Sequence, residues 1–285
     1  MRYRLIAIDL DGTLLCSNGE VSAENRAALY AAHDAGVLVI PCTGRGYGEA
    51  RHAIALVPDS KVGVFNTGAM VSALIDGETH HCDAFDIPTA RAVVALLCEG
   101  DEAVLLYTDP DATGYEYVVT GQGELTTNTK WWFEHNALRW VRQEVLDESL
   151  LPHIVRAGAM TVRSRADEIA ALVEARLPGR TDSHAFEAVQ EPGFDEPIYI
   201  FECFKQGVSK WTGIQVIAQQ HGIKPREIAV IGDQINDVPK FEQAGCAVAM
   251  GNAIPVIKET AHYHTLRNDE HGVAHAIEKM LAGCW

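Results

Sequence analysis

The sequence predicts an α/β protein, a doubly wound parallel-sheet core interrupted by an inserted α+β domain, and three observations carry that expectation. Short branched apolar runs, Leu5-Ile6-Ala7-Ile8, Val37-Leu38-Val39-Ile40 and Ile228-Ala229-Val230-Ile231, each lead into polar turn residues. Runs of that length suit parallel strands covered on both faces. Segments with helical spacing separate neighbouring runs, as βαβ units require. Finally, the alternation gives way near Phe85 to a mixed texture and returns beyond Gly207. The expected division is a core of residues 1 to 84 and 204 to 285, with residues 85 to 203 inserted as a second domain.

The first strand, Leu5 to Ile8, delivers Asp9-Leu10-Asp11-Gly12-Thr13 to its carboxyl end. Ligands of open α/β sheets bind outside the strands' carboxyl ends. Asp9 and Asp11 are two apart, so in an extended chain they share a face. Like charges that close together in a poorly solvated pocket need a cation or a shared proton. A divalent metal is the natural answer.

Ser22 to Gly36 reads as a helix with a Ser22 cap and a Gly36 stop. The second strand then brings Cys42-Thr43-Gly44-Arg45 to the edge that carries Asp9, given a right-handed crossover. A helix from about Gly48 to Leu56 leads to Val62-Gly63-Val64-Phe65, and Met70 to Cys82, with Asp76-Gly77 near its middle, reads as a β-hairpin. In the inserted block, Pro88 to Glu99 patterns as a helix, Ala103 to Tyr107 and Tyr115 to Thr120 as strands. Trp131-Trp132-Phe133 is expected to pack beneath an irregular loop. Tyr107, Tyr115, Trp131 and Trp132 are the candidates for substrate contact there. Met160 to Val162 reads as a strand, Asp167 to Leu177 as a helix and Ile198 to Phe201 as a strand.

Beyond Gly207 the pattern gives a helix from Trp211 to His221, the strand Ile228 to Ile231, a short helix from Pro239 to Ala244, the strand Ala247 to Met250 and a closing helix from Val273 to Leu281. The Ile228 strand ends in Gly232-Asp233-Gln234-Ile235-Asn236-Asp237. Three strand ends thus offer Asp9 with Asp11, Thr43, and Asp233 with Asn236 and Asp237. Hard oxygen donors of this kind suit Mg²⁺, which combines one or two carboxylates with waters and a phosphate oxygen. Lys210 by charge and Thr43 by its hydroxyl are able to hold a phosphate. The combination describes a phosphoryl-transfer pocket.

Each residue also has an ordinary reading. The acids and Asn236 are common turn formers, Thr43 can cap the following helix, Lys210 can be an exposed helix lysine and Arg45 a surface ion-pair partner. What outweighs these readings is the four motifs in order. Asp9-Leu10-Asp11-Gly12-Thr13, Thr43-Gly44-Arg45, Lys210 and Gly232-Asp233-Gln234-Ile235-Asn236-Asp237 resemble the four motifs of the haloacid dehalogenase superfamily. The large insertion between the second and third motifs, with Ala249-Met250-Gly251-Asn252-Ala253 near the end, is similar to the Cof-type, cap IIB sugar-phosphatase branch.

The resemblance implies a Rossmann-like core, a substrate-selecting cap and an Mg²⁺-dependent phosphatase. It implies Asp9 as nucleophile forming an aspartyl phosphate, and Asp11 as the acid that protonates the leaving alcohol and then the base that activates water. The metal group it implies is Asp9, Asp11 through its backbone carbonyl, Asp233 and Asp237, with Asn236 completing the surroundings. Thr43, Gly44, Arg45, Lys210 and Asn236 are the implied phosphate-binding set, with Thr43 and Lys210 also counted as catalytic. The chain departs from the branch in having Asn66-Thr67-Gly68-Ala69 where Asn-Gly-Ala is usual, and Trp211 where a glycine commonly follows the lysine. Two rivals accompany this reading: a phosphomutase on the same fold, and a non-catalytic sugar-phosphate-binding protein.

Composition narrows the partners. Among 285 residues, Lys plus Arg total 23 and Asp plus Glu 39, a formal charge of −16 that disfavours nucleic acid and anionic membrane. No apolar run approaches the roughly 20 residues that span a bilayer. The seven scattered cysteines lack CxxC spacing and read as reduced thiols of a cytoplasmic protein. Neither His80-His81 nor His262-Tyr263-His264 has partners at a recognisable metal-site spacing. The expected partner is a small phosphate ester, and the oligomeric state is left open.

Overall fold

A computed structural model describes residues 2–55, 57, 61–188, 190 and 197–285. In chain order the elements begin β1 (Leu5–Ile8), α1 (Ala23–Asp34), β2 (Leu38–Pro41), α2 (Tyr47–Ile54), β3 (Val62–Phe65), β4 (Met70–Ala73), β5 (Thr79–Cys82) and α3 (Ile87–Leu97). There follow β6 (Val104–Thr108), α4 (Pro110–Thr113), β7 (Tyr117–Thr120), α5 (Thr127–His135), β8 (Trp140–Arg142), β9 (Ile154–Thr161), α6 (Arg163–Arg176), β10 (Thr181–Glu187) and β11 (Tyr199–Lys205). The chain closes with α7 (Lys210–Gln220), β12 (Ile228–Gly232), α8 (Val238–Gln243), β13 (Cys246–Ala249), α9 (Pro255–Thr260), β14 (Tyr263–His264) and α10 (Gly272–Leu281). The chain divides into two compact units, residues 1–81 with 209–285, and residues 82–208.

In the first unit a five-stranded sheet runs in the order β14-β13-β12-β1-β2, and every pair in it is parallel. From β1 the chain builds outward to β2, and on its return it starts again at β12 on the other flank of β1. The order therefore reverses between β1 and β12, which is where such sheets open a ligand crevice. A parallel bridge between Cys42 and Val64 leads from β2 to the three-stranded sheet β3-β4-β5. The β1 and β12 side chains are wholly buried, consistent with their unbroken apolar sequence. Ser22 caps α1 as expected, accepting from the Asn25 amide at 3.1 Å. The expected end of the second helix at Leu56 lies outside the described residues.

The second unit is built on a six-stranded sheet of order β10-β11-β9-β6-β7-β8, antiparallel except for the β7–β8 pair. Its core contains Val93 and Leu97 from α3, Leu106, Val118, Ala157 and Phe201 from the strands, and Ile169 and Val173 from α6. β9 begins at Ile154, six residues before the expected Met160–Val162 strand, α4 had no counterpart in the expectations, and three further elements depart from them. Trp131-Trp132-Phe133 belong to α5, a helix capped by Thr126, instead of lying under an irregular loop. Three adjacent aromatics carry no 3.6-residue period, so the helix was not visible in them. β10 was unexpected because Thr-Asp-Ser-His-Ala-Phe-Glu is mostly polar, which is tolerable at the sheet edge it occupies. β8, with three residues, is too short to show alternation.

Tyr107 is buried on β6 with its ring 5.0 Å edge-on to Tyr117, whereas Tyr115 is exposed. Trp131 and Trp132 lie with ring centroids 5.9 Å apart on α5. Among the described residues no helix is long and apolar enough to cross a membrane.

Candidate active site

The site is assembled at the carboxyl ends of β1, β2, β3 and β12 and at the first turn of α7. After β1 the chain makes one wide turn, closed by Leu14 N–H to Asp9 O at 3.2 Å and Leu15 N–H to Leu10 O at 2.9 Å. Gly12 takes φ +68° in this turn, and a Cβ there would stand 2.3 Å from Asp233 Oδ2. Only glycine gives both the left-handed backbone and the clearance. Because β1 and β12 are paired, Asp9 and Asp233 emerge side by side.

Oxygens of Asp9, Asp233 and Asp237, all buried, lie within 4.8 Å of one another. Lys210 Nζ is wholly buried among them, 2.8 Å from Asp9 Oδ1, 2.7 Å from Asp237 Oδ1 and 3.0 Å from Asn236 Oδ1. Trp211, the bulky residue after this lysine, is buried without preventing that reach. Asp237 also takes Lys240 Nζ at 2.7 Å on Oδ1 and the amides of Asp233 and Gln234 at 2.9 and 3.2 Å on Oδ2. Asp233 accepts the Thr13 hydroxyl at 2.8 Å. Asp237 is thus the anchored member of the three, with both oxygens engaged.

The electrostatics follow from this crowding. Burial, reinforced by Asp237 and opposed by Lys210, pushes the Asp9 carboxyl up to about 6. Burial, then the neighbouring Asp9 and Asp237, push Asp233 up to about 7. At Asp237 burial works in the same sense, but Lys210 and Lys240 outweigh it and hold the carboxyl down at about 2. Burial would strip Lys210 of its proton, yet Asp237 and Asp9 more than offset this and keep it charged. Three carboxylates facing two ammonium groups leave one negative charge uncompensated among buried side chains. An all-oxygen set with that residual charge fits a hard divalent cation, and Asp9 and Asp233 carry the oxygens least committed to the protein.

The other expected residues fall around this centre. The Asp11 side chain stands outside the triad, half-exposed, and accepts from Arg45 Nε at 2.8 Å. Arg45 also donates to the Glu49 carbonyl at 3.1 Å, so the structure places it on Asp11 and the head of α2. The Asp11 carboxylate, working against burial, holds the Arg45 guanidinium above its ordinary value. Thr43 is buried; its hydroxyl accepts from the Arg45 amide at 3.1 Å and its carbonyl from the Thr67 amide at 3.1 Å. Gly44 faces both Asn236 Nδ2 and Thr67 Oγ1, each 3.4 Å from where its Cβ would be.

Lys240, Thr13 and Asn252 also take part in the site, beyond the residues expected there. Lys240 also donates to the Ile231 carbonyl at 2.9 Å, and Asn252 donates to the Gly12 carbonyl at 2.7 Å while accepting from the Asn268 amide at 3.0 Å. The only sequence signal for Lys240 was its place three residues after Asp237, where a helix brings side chains together.

Known proteins share this architecture. The sequence profile of the haloacid dehalogenase-like hydrolases matches residues 6–277. YxeH of Bacillus subtilis, which carries a provisional phosphatase name, is 30% identical over 292 residues, covering 98% of each chain. The 5-amino-6-(5-phospho-D-ribitylamino)uracil phosphatase YwtE of the same organism is 27% identical over 301 residues, covering 98% of this chain and 99% of its own. The crystal structure of a haloacid dehalogenase-like hydrolase from Bacteroides thetaiotaomicron superposes with a TM-score of 0.77 at 25% identity, covering 98% of this chain and 99% of that one. With the motif order and the strand-end cluster in agreement, the chain belongs to the haloacid dehalogenase-like hydrolases and is a phosphatase of that family.

Proposed function

We propose that this phosphatase is an Mg²⁺-dependent phosphomonoester hydrolase that acts on small phosphorylated metabolites, sugar phosphates foremost, through an aspartyl phosphate on Asp9. The observation that carries the reading is the Asp9 carboxylate, buried at the end of β1 with Lys210 Nζ at 2.8 Å and Asp233 and Asp237 in the same cluster. A carboxylate so placed is a nucleophile with its counter-charge at hand. Asp9 attacks phosphorus, forming the acyl-phosphate bond as the P–O bond to the alcohol breaks. Asp11 gives its proton to the departing oxygen, then takes one from the water that attacks the acyl phosphate, returning Asp9 and releasing phosphate. Thr43, Gly44, Lys210 and Asn236 hold the phosphoryl oxygens, with Arg45 keeping Asp11 in place until it is needed. Asp9 and Asp233, with the Asp11 carbonyl and with Asp237 behind them, would hold Mg²⁺, which would supply charge neutralisation for the transferring group.

Residues 85–203, within the second compact unit, are the proposed specificity cap. YwtE is named for a substrate with a phosphorylated ribityl chain, and that supports an ester of similar chemistry here. All seven cysteines are free thiols, which supports a reducing, cytoplasmic setting.

The test is phosphate release from a panel of sugar phosphates and an aryl phosphate, with Mg²⁺ or chelator. Asp9→Asn keeps the side-chain shape and is expected to lower release by at least about a thousandfold while preserving the circular dichroism spectrum. Equal release from the variant, or release indifferent to chelation, would overturn the reading.

A further inference from the structure

The turn after β3 is strained at a place where glycine would be cheap. Asn66 and Thr67 both have positive φ, 48° and 54°, and Thr67 is β-branched, for which this backbone region is a genuine outlier. The surroundings hold it there. The Asn66 amide donates to the Arg45 carbonyl at 2.9 Å and the Thr67 amide to the Thr43 carbonyl at 3.1 Å. On the other side Gly68 lies against the head of α7 so closely that a Cβ would fall 1.8 Å from the Ser209 carbonyl oxygen. Thr67 is therefore fixed relative to both the Thr43–Arg45 loop and Lys210.

Its hydroxyl is buried and has no hydrogen-bond partner among the described residues. Buried polar atoms are nearly always paired, so an orphan held in a strained turn calls for an occupant. The direction it faces identifies the chemistry. Thr67 Oγ1 and Asn236 Nδ2 both stand 3.4 Å from the Cβ position of Gly44, and Asn236 turns this nitrogen there because its oxygen accepts from Lys210 Nζ. A hydroxyl and an amide N–H₂ thus converge on one glycine, with the Lys210 ammonium at the other end of the same amide, and an anion complements such donors. Thr43 differs in having a partner already, since its hydroxyl oxygen accepts from the Arg45 amide, which leaves its own O–H able to donate as well.

We propose that Thr67 is an additional phosphoryl-binding residue, whose buried hydroxyl donates to an oxygen of the substrate phosphate lying over Gly44. The inference rests on the phosphatase site described above and adds to it a contact from the β3 turn. The experiment is calorimetric titration of inorganic phosphate, with Mg²⁺ present, into wild type, Thr67→Val and Thr67→Ser, alongside their thermal midpoints. Valine keeps the β-branch, so the backbone strain is unchanged and only the hydroxyl is lost. Thr67→Val should bind phosphate at least about tenfold more weakly, the effect of one hydrogen bond to a charged group. Its midpoint without phosphate should not fall, because the hydroxyl removed has no partner in the free protein. Thr67→Ser should recover most of the affinity. Equal phosphate affinity in wild type and Thr67→Val, or a lowered midpoint in the valine variant without phosphate, would overturn the assignment while leaving the phosphatase reading intact. If wild type itself bound no phosphate, the phosphoryl site and the assignment would fall together.

Discussion

Lys210 makes possible the burial of Asp9 beside Asp237, since without a counter-charge two buried carboxylates would take up protons. The compensation is incomplete, and its sign can be measured. Asp9 and Asp233 have carboxyls pushed up to about 6 and about 7 from an ordinary value of 3.8. Between those limits the folded protein binds more protons than the unfolded chain, so metal-free stability falls as pH rises through about 4 to 7. Asp237, held down at about 2, acts oppositely, but its contribution is lost only as pH falls from about 4 toward 2. In thermal melts without metal the midpoint should therefore be lower at pH 8 than at pH 5.5. Added Mg²⁺ should raise the midpoint more at pH 8, where both acids are ionised. An equal Mg²⁺ shift at the two pH values would contradict this account.

At the scale of elements, the turns after β1, β3 and β12 set the side chains at their chemical distances. Gly12 shows how tightly. Alanine there would force a left-handed backbone, costing about 1–2 kcal/mol, and would press against Asp233 Oδ2 at 2.3 Å. The carboxylate has little room to yield, because its other oxygen accepts from Thr13. Gly12→Ala is expected to lower the melting point and also to weaken the Mg²⁺-induced stabilisation severalfold, whereas Gly19→Ala, at a position with nothing within 4 Å of its Cβ, should alter only the former. The strands that carry these turns were legible because β1, β2 and β12 are short, wholly apolar runs ending in polar residues. β10 and α5 were not, because edge strands need no apolar alternation and a cluster of aromatics has no period.

At the scale of the molecule, one unit is continuous in sequence and the other is not. Residues 82–208 hold a complete six-stranded sheet and their own core. That segment expressed alone should unfold in one cooperative thermal transition with the α+β circular dichroism of its elements. Residues 1–208 should not form the other unit, because β1 pairs on one side with β12, whose residues 228–232 lie beyond the truncation. A truncated chain that retained Mg²⁺-dependent phosphate release would refute this.

What the sequence by itself determined was the class of fold, the order of the main core elements and the residue types at three strand ends. Those follow from local patterning: apolar runs of strand length, helical spacing between them, and carboxylates placed where parallel strands stop. The family resemblance added the grouping of the four motifs. What only the tertiary structure decided was which atoms meet. Lys240 looked like any helix lysine until burial set it on Asp237, Arg45 chose Asp11 as its partner, and Thr67 was a mere departure from a motif until its hydroxyl proved buried and unpaired. Such facts depend on contacts between segments as far apart as β1 and β12, and no periodicity along a chain records how its distant parts are brought together.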